Sequence, residues 1–226
     1  MIEYVFLDLD DTILDFKKSE YFAIGKTMLD HGIEPTDAVR ARYHAINKWH
    51  WEQLELGTMN RKQVTEHRFE VFFGELGVQV DAEKVALEYM QNLSSGHYFL
   101  PGAEAAVEAL SKKYRLFIAS NGTASVQHSR MTSANLYRFF ENVFVSQNIG
   151  HNKPAREFFE ACFDQIPGFD ITRAVMVGDS LSSDIKGGIN AGMKTIWVNP
   201  SHGSGKVKAD YEIDSITQLE ALLETM

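Results

Sequence analysis

Tyr4-Val5-Phe6-Leu7-Asp8-Leu9-Asp10-Asp11-Thr12 is the stretch from which the fold can be worked out. Its four apolar residues, β-branched and aromatic among them, are too few for a helix and predict a strand buried on both faces. Carboxylates then take over. Side chains alternate along a strand, so Asp8 and Asp10 fall on the same side of its tip, where two converging carboxylates are costly without a cation.

Similar short runs recur at Leu116 to Ala119, Val143 to Val145, Ala174 to Val177 and Thr195 to Val198. Helical patterns lie between the later ones, at Ala103 to Lys113 after a Pro101-Gly102 turn and at Phe158 to Gln165. This alternation predicts an α/β fold, a doubly wound parallel sheet with helical crossovers. It breaks once. From Phe16 to about His97 no strand pattern occurs, and Phe69, Phe72, Phe73 and Leu76 follow helical spacing. An all-helical cap of residues 16–97 is therefore expected, inserted after the first strand into an α/β core of residues 1–15 and 98–226. Its joints fall near Asp15 to Ser19 and Ser94 to Leu100. Ile216, Leu219, Leu222 and Leu223 predict a last amphipathic helix against the core.

The 226 residues include 22 Lys and Arg against 31 Asp and Glu, a formal charge of -9, with 44% hydrophobic residues. Disorder and coiled coil are excluded by this composition. The acidic balance argues against a sequence-independent grip on a nucleic-acid polymer, which needs the opposite field. No stretch approaches the roughly 20 apolar residues that span a bilayer, so no membrane partner is expected. Cys162 is the only cysteine and Met1-Ile2-Glu3-Tyr4 carries no basic leader, which predicts a cytoplasmic protein.

In an open parallel sheet, ligands bind beyond the carboxyl ends of the strands. Four of those ends carry chemistry. The fourth strand runs into Gly178-Asp179-Ser180-Leu181-Ser182-Ser183-Asp184, a second acidic cluster. Acidic groups from two strands, with backbone carbonyls and water, suit Mg²⁺, and the candidate metal set is Asp8, Asp10, Asp179 and Asp184. Taken alone, Asp11 and Asp184 also fit helix caps or surface charges. The second strand ends at Ser120-Asn121-Gly122-Thr123 before a helical pattern through Val126 and Arg130, which suits a phosphate or another oxyanion. After the third comes Gly150-His151-Asn152-Lys153-Pro154, with Pro154 expected at a first helical position and Lys153 placed to neutralise phosphate charge.

Asp8-Leu9-Asp10-Asp11-Thr12, Ser120, Lys153 and Asp179 with Asp184 resemble the four ordered motifs of the haloacid dehalogenase superfamily, and the helical insert resembles its first type of mobile cap. The resemblance covers essentially the whole chain. It implies that Asp8 is a nucleophile forming an aspartyl-phosphate and that Asp10 is the general acid and base. Ser120, Asn121 and Gly122 then hold the phosphoryl oxygens, and Lys153 stabilises charge. Asp8, the backbone carbonyl of Asp10 and Asp179 bind Mg²⁺, with Asp184 in support. The dehalogenases attack carbon and need neither Asp10 nor Mg²⁺, so a phosphatase fits better. The motifs also accommodate a sugar-phosphate mutase.

The cap bears on substrate. In Asn47-Lys48-Trp49-His50-Trp51 the two indoles lie roughly 200° apart on a helix, so they cannot share one core stripe. Asn47 and Trp51, four residues apart, offer an amide and an indole to a nucleobase; packing between cap helices is the other reading. Arg68 beside Phe69 either pairs with an acidic neighbour or reaches the substrate. Ala45 to Lys48, Trp51, Arg68-Phe69, Leu100 to Ala103 and Gly187 to Gly192 resemble the pyrimidine 5′-nucleotidase group within the superfamily. That implies hydrolysis of nucleoside monophosphates. Phosphatase or mutase action on a sugar phosphate or phosphoglycolate is the alternative, and a non-catalytic phospho-ligand module is disfavoured by the intact Asp8, Asp10, Lys153 and Asp179. Gly203-Ser204-Gly205-Lys206 lacks the flanking residues of a nucleotide-cradling loop and is expected to be a surface loop. Zinc is not expected from the scattered His44, His50 and His67.

Overall fold

Alternation along the strands shows directly in the burial of the sheet. A computed structural model describes residues 1–226. Val5, Leu7, Leu116, Ile118, Val175 and Val177 share one buried cluster, while Tyr4, Phe6, Phe117, Ala119, Ala174 and Met176 share another. Odd and even positions thus feed opposite faces, and helices cover both, as a parallel sheet requires.

In chain order, β1 (Tyr4–Leu7) precedes four helices, α1 (Phe16–Asp30), α2 (Asp37–Glu55), α3 (Arg61–Glu75) and α4 (Ala82–Ser94). Then come α5 (Ala103–Ser111), β2 (Arg115–Ser120), α6 (Ala124–Ser133), β3 (Asn142–Val145), α7 (Ser146–Ile149) and α8 (Arg156–Phe163). The chain closes with β4 (Ala174–Gly178), α9 (Lys186–Ala191), β5 (Lys194–Val198), β6 (Tyr211–Ile213) and α10 (Leu219–Leu223). The sheet order is β3-β2-β1-β4-β5-β6 and every pairing is parallel. β1 is central, and the order reverses beside it, which puts its carboxyl end at the switch point where such sheets bind ligands.

The chain divides into two compact units, Met1–Asp15 with Tyr98–Met226, and Phe16–His97. Within the helical unit α1 packs on α4, α2 on α3 and α3 on α4. Tyr43, Phe69, Phe72 and Tyr89 form its aromatic core, with ring centroids 5.3 to 5.6 Å apart. Each of the later three helices has a side-chain N-cap. Thr36 and Asp81 accept from Val39 N and Lys84 N, and Asn60 with Gln63 makes a reciprocal capping box at 3.0 and 2.9 Å.

Two features depart from the sequence expectations. A sixth strand, β6, extends the sheet past the five apolar runs. Only three residues long and carrying Glu212, it lacks the apolar run that marks the others; Asp210 Oδ2, accepting from Thr195 N at 2.8 Å, anchors its start. Pro154 does not open a helix: the Lys153-Pro154 peptide is cis, Ala155 N donates to Asn152 O at 2.9 Å, and α8 begins at Arg156. Gly203 to Lys206 lies in the exposed loop between β5 and β6. No helix is long and apolar enough to cross a membrane.

Helix α9 lies against the sheet because it carries paired glycines. A Cβ at Gly188 would meet Thr195 Cγ2 at 2.7 Å and Met176 Cβ at 2.9 Å, and one at Gly187 would meet Phe159 Cε2 at 2.7 Å. Gly188→Val is therefore expected to lower unfolding free energy by about 1–3 kcal/mol through overpacking, as read from the urea midpoint. An unchanged midpoint would show that the helix has room to shift.

Candidate active site

At the carboxyl end of β1, Asp8 N still donates to Val177 O at 2.9 Å, so the neighbouring strand holds the Asp8 backbone. The chain then doubles back. Ile13 N and Leu14 N both donate to Leu9 O, and Asp11 N donates to Leu14 O at 2.8 Å. Asp11 takes a left-handed φ of 55°, which Asp tolerates better than most residues.

Lys153 is the centre of the site. It is 1% exposed, and its ammonium donates to Asp8 Oδ1 at 2.6 Å, Asp184 Oδ1 at 2.6 Å and Ala119 O at 2.5 Å. Three donors meet three acceptors. The side chain of Asn121 clasps the same residue by its peptide groups: Lys153 N donates to Oδ1 at 2.9 Å, and Nδ2 donates to Lys153 O at 2.8 Å. The end of β2 is thereby tied to the loop that carries the lysine.

The acidic loop after β4 is shaped by equally specific contacts. Asp184 is buried, and its Oδ2 accepts from Ser180 N at 3.0 Å. Gly178 leaves it that space, since a Cβ there would lie 2.2 Å from Asp184 Oδ2. Trp197 on β5 donates through Nε1 to Asp179 O at 2.8 Å and fixes the start of the loop.

Asp8, Asp179 and Asp184 each place a carboxylate oxygen within 4.8 Å of the other two. Burial raises the Asp8 carboxyl far above the ordinary carboxylate range against the pull of Lys153, and burial followed by the Asp184 and Asp8 charges does the same to Asp179. Burial alone would lower the Lys153 ammonium, but Asp184 and Asp8 together outweigh it and hold it above its usual value. One lysine thus faces three crowded carboxylates. The all-oxygen donor set fits a hard divalent cation such as Mg²⁺, which would offset the charge that this crowding disfavours. The Asp10 carboxylate lies elsewhere, against Gln127 and Arg130.

Ser120 Oγ accepts from Gly122 N at 3.1 Å and from Gln127 Nε2 at 2.9 Å. Both lone pairs are engaged, which leaves the hydroxyl proton to act as a donor. Sequence reading passed over Gln127 and Trp197 and took Arg130 only as part of a helical pattern. The available signal was the i, i+3 spacing of Gln127 and Arg130, which puts both on the face of α6 that returns to Ser120.

In the helical unit, Asn47 and Arg68 are each 3% exposed and form one polar chain with Glu20. Asn47 Nδ2 donates to Glu20 Oε1 at 2.6 Å, and Arg68 Nη1 donates to Asn47 Oδ1 at 2.5 Å. Trp51 is half-buried with the Arg61 guanidinium 5.6 Å from its ring, whereas Trp49 is exposed.

The doubly wound sheet carries a carboxylate and lysine cluster at its switch point, where such sheets bind ligands. Residues 5–198 match the model of the haloacid dehalogenase-like hydrolase family, and the chain belongs to that family. It is 35% identical to the HAD-hydrolase YfnB of Bacillus subtilis, over 96% of this chain and 93% of that one. The crystal structure of YfnB bound to magnesium superposes with a TM-score of 0.94 at 34% identity, covering 99% of both chains. Pyrimidine 5′-nucleotidase PynA of Streptococcus pneumoniae is 33% identical over 96% of this chain and 93% of its own. Pyrimidine 5′-nucleotidase YjjG of Escherichia coli is 28% identical over 98% and 97%.

Removing the lysine strands two buried carboxylates. Lys153→Met in EDTA should cost about 3–5 kcal/mol of stability in urea titration, and adding Asp184→Asn should recover part of it. A loss below about 1 kcal/mol would mean that the ammonium does not hold the cluster.

Proposed function

We propose that this protein is a Mg²⁺-dependent phosphomonoester hydrolase that carries the phosphoryl group on Asp8 and takes pyrimidine nucleoside monophosphates as substrates. The observation that carries this reading is the buried Lys153 ammonium shared by Asp8 and Asp184 at the carboxyl end of the central strand. There it holds Asp8 Oδ1 in place and leaves the carboxylate's other oxygen for attack. A carboxylate so held is suited to attack phosphorus rather than to fill a structural ion pair.

In the first displacement, an Asp8 carboxylate oxygen bonds to phosphorus as the bond to the ester oxygen breaks, and Asp10 gives its proton to that leaving oxygen. In the second, water attacks phosphorus while Asp10 takes a proton from it, and the bond from phosphorus to Asp8 breaks, releasing phosphate and restoring both carboxyl groups. Ser120 donates its hydroxyl to a phosphoryl oxygen, with the Asn121 amide beside it, while the Gly122 amide, expected from sequence to hold a phosphoryl oxygen, instead braces Ser120 Oγ, and Lys153 offsets negative charge around Asp8. Asp8, Asp179, Asp184 and the Asp10 carbonyl are the groups to hold Mg²⁺. When bound, that ion supplies neutralisation of the carboxylate cluster and of phosphoryl charge.

The pyrimidine nucleotidases PynA and YjjG support the substrate class. Selectivity among monoesters is assigned to the helical unit. Its half-buried Trp51 is the candidate base contact, while Asn47, bonded to Glu20, and Arg68, bonded to Asn47, support the residues around them. A cytosolic, reducing setting suits the buried thiol of Cys162, which burial keeps in its protonated form.

Phosphate release with Mg²⁺ across nucleoside monophosphates, sugar phosphates and phosphoglycolate tests the reading. Release should be strongest on pyrimidine monophosphates, vanish in EDTA, and fall below detection in Asp8→Asn with the fold intact by circular dichroism. Release confined to sugar phosphates would discard the nucleotide assignment, and wild-type-like turnover by Asp8→Asn would discard the nucleophile.

A further inference from the structure

Asp10 ends a hydrogen-bonded chain that runs into the core along α6. Arg130, fully buried, donates through Nη1 to Asp10 Oδ1 and, at 3.0 Å, to Gln127 Oε1. Gln127, 1% exposed, donates through Nε2 to Asp10 Oδ2 at 2.6 Å and to Ser120 Oγ at 2.9 Å. Each carboxylate oxygen thus receives one donor and keeps a second lone pair for a proton. The amide and the guanidinium are also locked to one another, so neither can turn without breaking a bond to the other.

Burying a guanidinium costs several kcal/mol unless its charge is paired in good geometry, and here the paired group is Asp10. A requirement for charge alone would be met by an exposed lysine. A buried, planar donor braced by a glutamine instead fixes the direction in which the carboxylate points. The neighbouring loop is shaped to let this happen. At Gly122 a Cβ would stand 2.3 Å from Gln127 Nε2, so the residue beside the phosphate-binding hydroxyl is one without a side chain.

We propose that Gln127 and Arg130 are positioning residues for proton transfer by Asp10, coupling the orientation of that carboxyl to Ser120. The assignment rests on the acid and base role given to Asp10 under Proposed function. It distinguishes the two halves of the site: Lys153 orients the nucleophile, and the Arg130-Gln127 pair orients the acid.

The leaving group provides the test. An alkyl ester oxygen must be protonated as it departs, whereas p-nitrophenolate departs unaided, so an error in aiming the acid slows cleavage of the first ester far more than of the second. Rapid-quench single turnovers of the full-length protein with Mg²⁺ would compare a nucleoside monophosphate with p-nitrophenyl phosphate in Gln127→Leu, Arg130→Met and Arg130→Lys. Gln127→Leu removes no buried charge and keeps the assignment testable should loss of the buried arginine unfold the protein. Cleavage of the nucleotide should fall about 100-fold in Gln127→Leu and Arg130→Met, and the ratio between the two esters should widen by about tenfold or more. Arg130→Lys should recover only part, because it restores the charge without the fixed direction of the planar guanidinium. The double variant should be little worse than the worse single one, as expected of residues sharing one task. Equal losses on both esters would overturn the assignment in favour of a structural or phosphate-binding role, and so would unchanged rates on both. Wild-type protein that cleaves neither ester would refute the phosphomonoesterase reading on which the assignment rests.

Discussion

A single buried ammonium organises this site. Lys153 draws together the end of β1 through Asp8, the last carbonyls of β2 through Ala119, and the loop after β4 through Asp184. Three segments distant in sequence meet on one cation, so its position sets theirs. The cost of desolvating it is met by two carboxylates and a carbonyl in good geometry, and the Asn121 clasp on its peptide groups keeps the backbone from following solvent outward. With Asp179 added, three carboxyl groups crowd around one ammonium. Their oxygen donors fit a hard cation.

The sheet makes such a meeting possible. β1 lies between β2 and β4, so residues just beyond the ends of those strands come within hydrogen-bond reach without long loops. Small residues keep the space open where side chains must cross. Gly178 gives way to Asp184 and Gly122 to Gln127, and in each case an added methyl group would displace a polar side chain that the site uses.

Much of this was legible from residue order alone. Apolar runs buried on both faces announce parallel strands, and the strand ends can be read for chemistry because ligands gather there. The unread parts share a physical cause. β6 is a short edge strand with a glutamate at its centre, held by Asp210 and Asn199 contacts that no local pattern encodes. The expected helix start at Pro154 fails because the chain turns at Asn152 to Ala155 first. Gln127 and Arg130 are polar residues on a helix, which ordinarily means solvent. Only tertiary structure reveals that this face of α6 is turned inward to Asp10. Asn47 and Arg68 are similarly polar, and their shared bonds within the helical unit could not be read from spacing.

The account depends on Asp8 carrying the phosphoryl group. Mixing the protein with a hydrolysed monoester and Mg²⁺, quenching in acid within one turnover and mapping the peptides by mass spectrometry measures this directly. The peptide containing Asp8 should gain the mass of one phosphoryl group, on Asp8 and nowhere else, and the modification should persist longer in Asp10→Asn. Hydrolysis that proceeds with no phosphorylated peptide, or with the group on another residue, would contradict it.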